Sequence, residues 1–409
     1  MRILWFVNNV FPDALGRDKV KEYRCWWLVT LADRLKAQPG LHLTIATASH
    51  LVDRVETREV DGIRYVVYPE SRWAKQLRTF GLMNWDNLLE ECAKTVREEA
   101  PDVVVVHGTE YGYGLVASRT DTPVIVSLQG ILNPYHPHYW GEMKGSLRRF
   151  RYLSSLMGDL FYRRRLPVEA AVIRSNGFFL GRTDWDRAHM RSFNPQGRYF
   201  HEDRIIRPAF VAASWDIGRI RRGQIYTTTT PAFLKGTPCL LEALANVRRT
   251  HPWVTLVIGG PIGTKDVGGY VRRRVTELGL SDAVTFVGYV GESEIVRIAM
   301  ESHLYVIPSY IENSPNNLAE AQCMGMPCVA SFAGGIPSMV SHGETGLLFN
   351  VGDAAVLAEN IRKVVDDDAL AVRLSANAKR VACARHDPGR VMDAHLHACR
   401  SAAATRARG

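Results

Sequence analysis

The sequence predicts an α/β protein of two domains, each a doubly wound parallel sheet with helices on both faces. Three observations predict it. Short apolar runs bounded by Gly, Pro or polar residues recur in both halves, at 103–107, 124–128, 254–258 and 303–307, with the length of buried strands. Stretches of helical length separate them, as at 85–98 and 238–248, and such alternation argues for parallel sheets. The chain has 409 residues, enough for two or three full cores.

Composition narrows the class. Hydrophobic residues make up 46% and charged residues 23%, which is ordinary for a folded globular chain and excludes a disordered one. The seven Cys are scattered, with no C-x-x-C and no Cys/His zinc spacing. No disulfide framework is expected, and a reducing, cytoplasmic setting fits. The opening MRILWFVNNV reads as a first strand and lacks a signal peptide's apolar core. No run of about 18 apolar residues exists, so no membrane-spanning helix is expected. The net charge of +9 favours an anionic partner: nucleic acid, acidic lipid or a phosphorylated substrate.

Taken in order, 2–8 is a strand, 8–15 a loop and 19–35 a helix. A dinucleotide-binding protein would place G-x-G-x-x-G in that loop. Here it reads NNVFPDALG, which argues against a nicotinamide or flavin dehydrogenase. Strands follow at 43–47, 63–67, 103–107 and 124–128. Ligands gather at the carboxyl ends of such strands, which makes His107 and Gln129 candidate site residues. Gln129 has no titratable proton, so its role would be hydrogen bonding.

Within 144–165, Leu147, Phe150, Leu153, Leu156, Met157, Leu160 and Phe161 recur at helical spacing. Lys144, Arg148 and Arg151 fall opposite, and Arg163, Arg164 and Arg165 close the segment. Two readings stay open: an interfacial helix on an anionic bilayer, or an ordinary helix with its apolar face in a core. No nucleic-acid module accompanies the charge.

A strand at 178–181 and a polar, basic stretch lead to the crossing between domains, whose cleft is the expected ligand site. The second domain opens with Gln224-Ile225-Tyr226 and four Thr, 227–230. Lys235 beside Gly236 at a strand-to-helix loop suits a phosphate. The strand 254–258 ends at Gly259-Gly260, where backbone can approach a ligand, and 284–287 ends at Gly288-Tyr289.

The densest pattern is PSYIENSPNNLAEAQCM, 308–324. After the strand 303–307 comes a loop with Glu312, then Ser314 as N-cap and Pro315 at the first helical position. The helix start at Ser314, Asn316, Asn317 and Leu318 would offer N–H groups to an anion. Glu312 and Glu320 would stand before and inside the turn, ready to accept from hydroxyls. Two solvated carboxylates at this spacing are the alternative.

This stretch resembles the E-x7-E signature of the retaining GT-B glycosyltransferases of family 4, also called group 1. The match continues through Ala333-Gly334-Gly335-Ile336-Pro337, His342–349 and Gly352-Asp353. In the first half VHGTEYGYG, VSLQG and Arg182-Thr183-Asp184-Trp185-Asp186 are similar to one branch of that family. The resemblance implies a GT-B fold: two Rossmann-like domains facing across a cleft, 1–205 binding acceptor and 206–386 binding donor. It also implies a C-terminal segment 387–409 whose helix, 391–400, returns to the first domain, with 401–409 frayed.

The implied activity moves a sugar from a nucleotide-diphosphate sugar to a saccharide or lipid-linked acceptor with retention, in surface polysaccharide or glycan biosynthesis. Neither metal nor cofactor is implied beyond the donor. Glu312 would hold the sugar hydroxyls and Glu320 the ribose. Lys235, Gly236, Thr230, Gly260 and the helix amides would meet the diphosphate. Tyr289 would meet the base through its backbone, and His107 and Gln129 would lie near the reacting sugar. The sequence departs from the family at four places. A Gly-Gly loop is reduced to Gly16, an Arg to Thr230, a His to Gln129, and Pro-Glu to Pro337-Ser338. An epimerase or phosphorylase of the same shape, or a non-catalytic nucleotide-binding protein, are the alternatives. The setting expected is cytoplasmic, on the inner face of the membrane under the interfacial reading of 144–165, and no nucleic acid is expected.

Overall fold

β1 (Arg2–Val7) sends Ile3, Trp5 and Val7 into one core and Leu4 and Phe6 into another, all buried. A strand covered on both faces has no polar side, so it reads as an unbroken apolar run. In this computed structural model, which describes residues 1–16, 26–143 and 152–406, seven more strands join it. They are β2 (His42–Ser49), β3 (Glu56–Val60), β4 (Ile63–Pro69), β5 (Val103–His107), β6 (Val124–Ser127), β7 (Phe178–Gly181) and β8 (Arg198–His201). Their order is β3-β4-β2-β1-β5-β6-β7-β8. All pairs are parallel except β3 with β4. β3, ETREV, is polar and half exposed at the sheet edge, so it gives no apolar signal and was not expected. The order reverses between β1 and β5, beside His107.

The second sheet holds β9 (Arg221–Thr228), β10 (Thr255–Gly259), β11 (Val284–Gly288), β12 (Ser302–Ile307), β13 (Cys328–Ser331) and β14 (Leu347–Phe349). Its order is β11-β10-β9-β12-β13-β14, parallel throughout. This is the dinucleotide-fold order, with the reversal between β9 and β12.

The chain divides into two units. One contains Met1–His136, Leu160–Ile205 and His386–Gly409; the other contains Pro137–Asp159 and Ile206–Arg385. Residues 137–159 belong with the second unit rather than the first, where the sequence placed them. The reason is an aromatic cluster in which Trp140, Met143 and Tyr152 pack with Phe233 and Val267. The Trp140 indole donates to Asp159 at 3.1 Å and Tyr270 OH to Glu142 at 2.8 Å.

The final helix, Pro388–Arg406, buries Val391, Leu396, Ala398, Cys399 and Ala402 in the core of the first unit. It does not fray at 401. Ala402 is buried, and Arg406 donates to the Pro101 carbonyl and to Thr122 Oγ1 at 3.3 Å each. His395 Nδ1 meets Glu202 Oε2 at 2.7 Å with both side chains fully buried. Burial opposes charge on His395, but Cys399 and Glu202 outweigh it and hold the imidazole well above its ordinary range.

Two expected helices fall partly outside the described residues. Of 19–35, the structure describes Trp26 onward, in the helix Trp26–Lys36. Of 144–165, residues 144–151 with Lys144, Leu147, Arg148, Phe150 and Arg151 lie outside. The rest belongs to the helix Leu153–Ser175, which contains Pro167. Its apolar residues divide: Leu156 packs on the aromatic cluster and Phe161 stacks on Phe80, whereas Leu153, Met157 and Leu160 are exposed. Among the described residues no helix is long and apolar enough to cross a membrane.

Candidate functional site

The reversal between β9 and β12 is where a parallel sheet of this order opens a crevice, and the densest sequence pattern folds there. Thr227 Oγ1 donates to the Val306 carbonyl at 2.7 Å, tying the two strands together. Thr228 Oγ1 lies 2.9 Å from Tyr305 OH and accepts from Asn317 Nδ2 at 2.7 Å. The helix Asn316–Met324 is thus anchored to the strand end through Asn317.

Glu312 is the centre of the arrangement. Its Oε1 lies 2.6 Å from Lys235 Nζ and accepts from Ser309 Oγ at 2.9 Å. Its carbonyl accepts from Gly335 N at 2.8 Å. Two glycines make this packing possible. Gly236 has φ +66, and a Cβ there would stand 1.9 Å from the Pro308 carbonyl oxygen; Gly334 has φ +53, and a Cβ there would stand 2.0 Å from the Glu312 carbonyl oxygen. Side chains at either position are excluded by both space and conformation. The carboxylate is buried and the ammonium half-buried. Together they form a charge pair that an anion from one side and hydroxyls from the other can share.

The helix start differs from the expectation. Pro315, in an extended conformation, occupies the N-cap position, and no side chain caps the helix. Ser314 lies one residue earlier, because the loop 308–315 is committed to Gly335 and Lys235. Asn316 opens the helix, and Asn317 Oδ1 accepts from the Leu318 N–H at 3.0 Å.

Glu320 is bridged by a residue the sequence did not single out. Arg207 Nη2 lies 2.8 Å from Glu320 Oε1 and its Nη1 3.0 Å from Glu292 Oε2. Burial raises the Glu320 carboxyl above its ordinary range, while Arg207 pulls the other way. Arg207 precedes Pro208 in a basic stretch with no pattern of its own, so only topology brings it here.

The remaining second-unit candidates line neighbouring turns. Thr230 is exposed, and its carbonyl accepts from Ala232 N at 2.7 Å. Thr229 Oγ1 lies 2.8 Å from Thr237 Oγ1 at the foot of the next helix. Gly260 donates to the Gly288 carbonyl at 2.7 Å, which links the ends of β10 and β11. Tyr289, just beyond, is largely exposed.

In the first unit His107 is buried in a ring of aromatics. Trp5 is edge-on at 4.6 Å, Trp27 at 5.8 Å, and His395 is stacked at 6.5 Å. Burial holds it well below its ordinary range, helped by His395 and the Arg182 and Arg204 guanidinium groups. It stays neutral at physiological pH. Gln129 is half-buried, and its Oε1 accepts from Arg204 Nη2 at 2.7 Å. Arg204 in turn lies over the Trp27 ring at 4.8 Å. The loops around Gln129 are held by Glu169, fully buried, which accepts from Thr109 Oγ1 at 2.6 Å, Leu132 N at 2.7 Å and Asn133 N at 2.8 Å. Among the described residues no three His, Cys, Asp or Glu stand close enough to hold a metal ion.

Residues 232–381 match the family described as glycosyl transferases group 1. A D-inositol 3-phosphate glycosyltransferase of Nocardioides sp. is 32% identical over 198 residues, covering 46% of this chain and 41% of that protein. A glycogen synthase of Mycobacterium tuberculosis is 31% identical over 182 residues, 43% of each chain. The match therefore spans less than half the length of these curated relatives. Among solved structures, sucrose-phosphate synthase from Thermosynechococcus elongatus superposes with a TM-score of 0.72 at 18% identity, over 99% of each chain. HepE of Anabaena, in complex with UDP and glucose, superposes at 0.70 and 17% identity over 98% of this chain and 100% of its own. Both sheets and their strand orders thus have the GT-B fold, and residues 232–381 are similar to the group 1 glycosyl transferases.

Proposed function

We propose that this protein transfers a glycosyl group from a nucleotide-diphosphate sugar to a saccharide or lipid-linked acceptor, with retention at the anomeric carbon. The observation that carries the proposal is the Lys235–Glu312 pair, 2.6 Å apart at the sheet's reversal point. As the bond to diphosphate breaks, negative charge grows on the leaving phosphate and positive charge on the sugar ring. Lys235 and the start of the helix Asn316–Met324 offset the first, and the helix dipole adds to it. Glu312 accepts from the sugar hydroxyls. Glu320, steadied by Arg207, accepts from the ribose. Thr230, Gly260 and the backbone at Tyr289 border the nucleotide. The leaving phosphate itself takes the acceptor's proton, and no divalent metal is needed. HepE, a relative in fold, was solved with UDP and glucose, which supports a nucleotide-sugar donor.

We infer that the first unit receives the acceptor, with Gln129 bonding a hydroxyl and neutral His107 shaping the pocket wall. A lipid-linked acceptor would bring 144–165 to an anionic inner membrane face. Exposed Leu153, Met157, Leu160, Arg163 and Arg164 support that contact, whereas Arg165 turns to the Glu110 carbonyl at 3.0 Å. The pathway would be surface polysaccharide or glycan synthesis in the cytoplasm. The test is donor turnover in Glu312→Gln: transfer should be abolished with only a modest loss of nucleotide affinity. Wild-type turnover in that variant would sink the assignment. Donor consumption without any sugar acceptor would favour an epimerase or phosphorylase instead.

A further inference from the structure

The helix Arg72–Thr79 and the turn after it carry large apolar side chains at the surface of the first unit. Trp73 is 75% exposed and Leu82 53%, with Met83 exposed beside it. Single exposed apolar residues are ordinary, but these share one surface with others. Phe80, two helical turns beyond Trp73 and so on the same side, stacks on Phe161 with ring centroids 3.9 Å apart. Gly81 lies against Arg164, where a Cβ would come within 2.9 Å of that residue's carbonyl oxygen. The turn is therefore fixed to the helix Leu153–Ser175 at its residues 161–164. Leu160 on that helix is 47% exposed and shares a face with Arg164, four residues on.

The charge that these two segments carry has one sign. Arg72, Arg163 and Arg164 are exposed. Neither 71–83 nor 160–168 contains an Asp or Glu. The acids that flank them in the chain are spent elsewhere. Glu70 is buried in a pair with Arg78, Asp159 and Glu169 are buried, and Asp86 pairs with Arg119 at 2.5 Å. Two segments that expose Trp, Leu and Met among Arg and contain no carboxylate match the boundary of an anionic bilayer. Trp there places its ring at headgroup depth, and Arg meets lipid phosphate.

We propose that this surface docks on an anionic bilayer. Trp73, Leu82, Met83 and Leu160 enter the headgroup region, and Arg72, Arg163 and Arg164 bind lipid phosphates. The inference rests on the transfer reading only for its purpose, which is to bring the first unit to a lipid-linked acceptor. Its chemistry stands apart.

The test is co-sedimentation of the full chain with vesicles of phosphatidylcholine, with and without phosphatidylglycerol. Wild-type protein should sediment only with the anionic vesicles at low ionic strength, and high salt should release it. Each Arg near such a surface is worth about fivefold in partitioning, so the triple change R72Q/R163Q/R164Q should lower binding about a hundredfold. W73S/L82S should lower it about tenfold or more on the same vesicles. Both variants alter exposed side chains, so thermal melting should match the wild type. Wild-type protein that stays in the supernatant overturns the proposal. So do variants that sediment as well as the wild type, or a W73S/L82S change that only converts a dimer to a monomer. Turnover on a water-soluble acceptor, measured in parallel, fails separately if the transfer reading is wrong.

Discussion

Lys235 and Glu312 stand 77 positions apart in the chain and 2.6 Å apart in space. On the proposed reading, replacing Lys235 with Ala removes the ammonium that would meet the donor phosphates and leaves Glu312, among the described residues, with Ser309. We expect nucleoside diphosphate binding, with UDP as probe, to weaken by about 1.5–3 kcal/mol, as for a hydrogen bond to a charged group. Calorimetric titration reads this directly, and equal affinity in the variant would show that Lys235 serves only to pair with Glu312. Both residues were legible in the sequence because each sits in a short local pattern, a Lys-Gly turn and a Glu before a helix. Their pairing was not legible. It depends on Gly236 and Gly334 letting two loops meet, and no local spacing encodes that. Arg207 was missed for the same reason: its partners Glu292 and Glu320 are set by the sheet. His107 was legible as a strand-end residue, but its burial beneath Trp5 and Trp27 was not. That enclosure comes from a helix and from a strand far away in sequence.

At the scale of elements, buried strands were the easiest to read, because covering both faces leaves no polar register to confuse. β5 and β7 match the expected bounds to the residue, whereas the edge strand β3 gave no signal. β12 carries a group whose state depends on this packing. His303 is buried, and its Nδ1 accepts from the Gly223 N–H at 3.2 Å. Burial, with Arg222 adding to it, pushes the imidazole down to about 4. Between about pH 4 and 6.5 the unfolded chain therefore binds a proton that the folded chain does not. The contribution is fully present above pH 6.5 and is lost as pH falls toward 4, by at most about 3 kcal/mol. Urea unfolding of wild-type and His303→Gln protein at several pH values checks it. The wild type should lose stability faster on acidification, and parallel curves would show that His303 is not the group responsible.

Across the whole molecule, the first unit is assembled from three separate stretches of chain and the second from two. The return of the last helix was foreseeable from the family resemblance. The passage of 137–159 into the second unit was not, since its packing partners Phe233 and Val267 lie far ahead in sequence. A chain stopped after Arg385 should keep the second unit folded, because its core, from Ile206 to Ala382, needs nothing beyond. The first unit would lose five core residues of the helix Pro388–Arg406 and leave Glu202 a buried carboxylate with no imidazole. Limited proteolysis should then cleave within the first unit and spare the second; uniform resistance would show the last helix to be dispensable.

The discontinuity also sets a timetable. On a ribosome all eight strands of the first sheet are made before residues 206–385, yet the helix that seals them is made after. Synthesis at about 5–20 residues per second leaves the nascent first sheet unsealed for about 10–40 s. During that interval its apolar surface around Trp5 lies open to chaperones or to a neighbouring nascent chain. The half translated first is the half that finishes folding last.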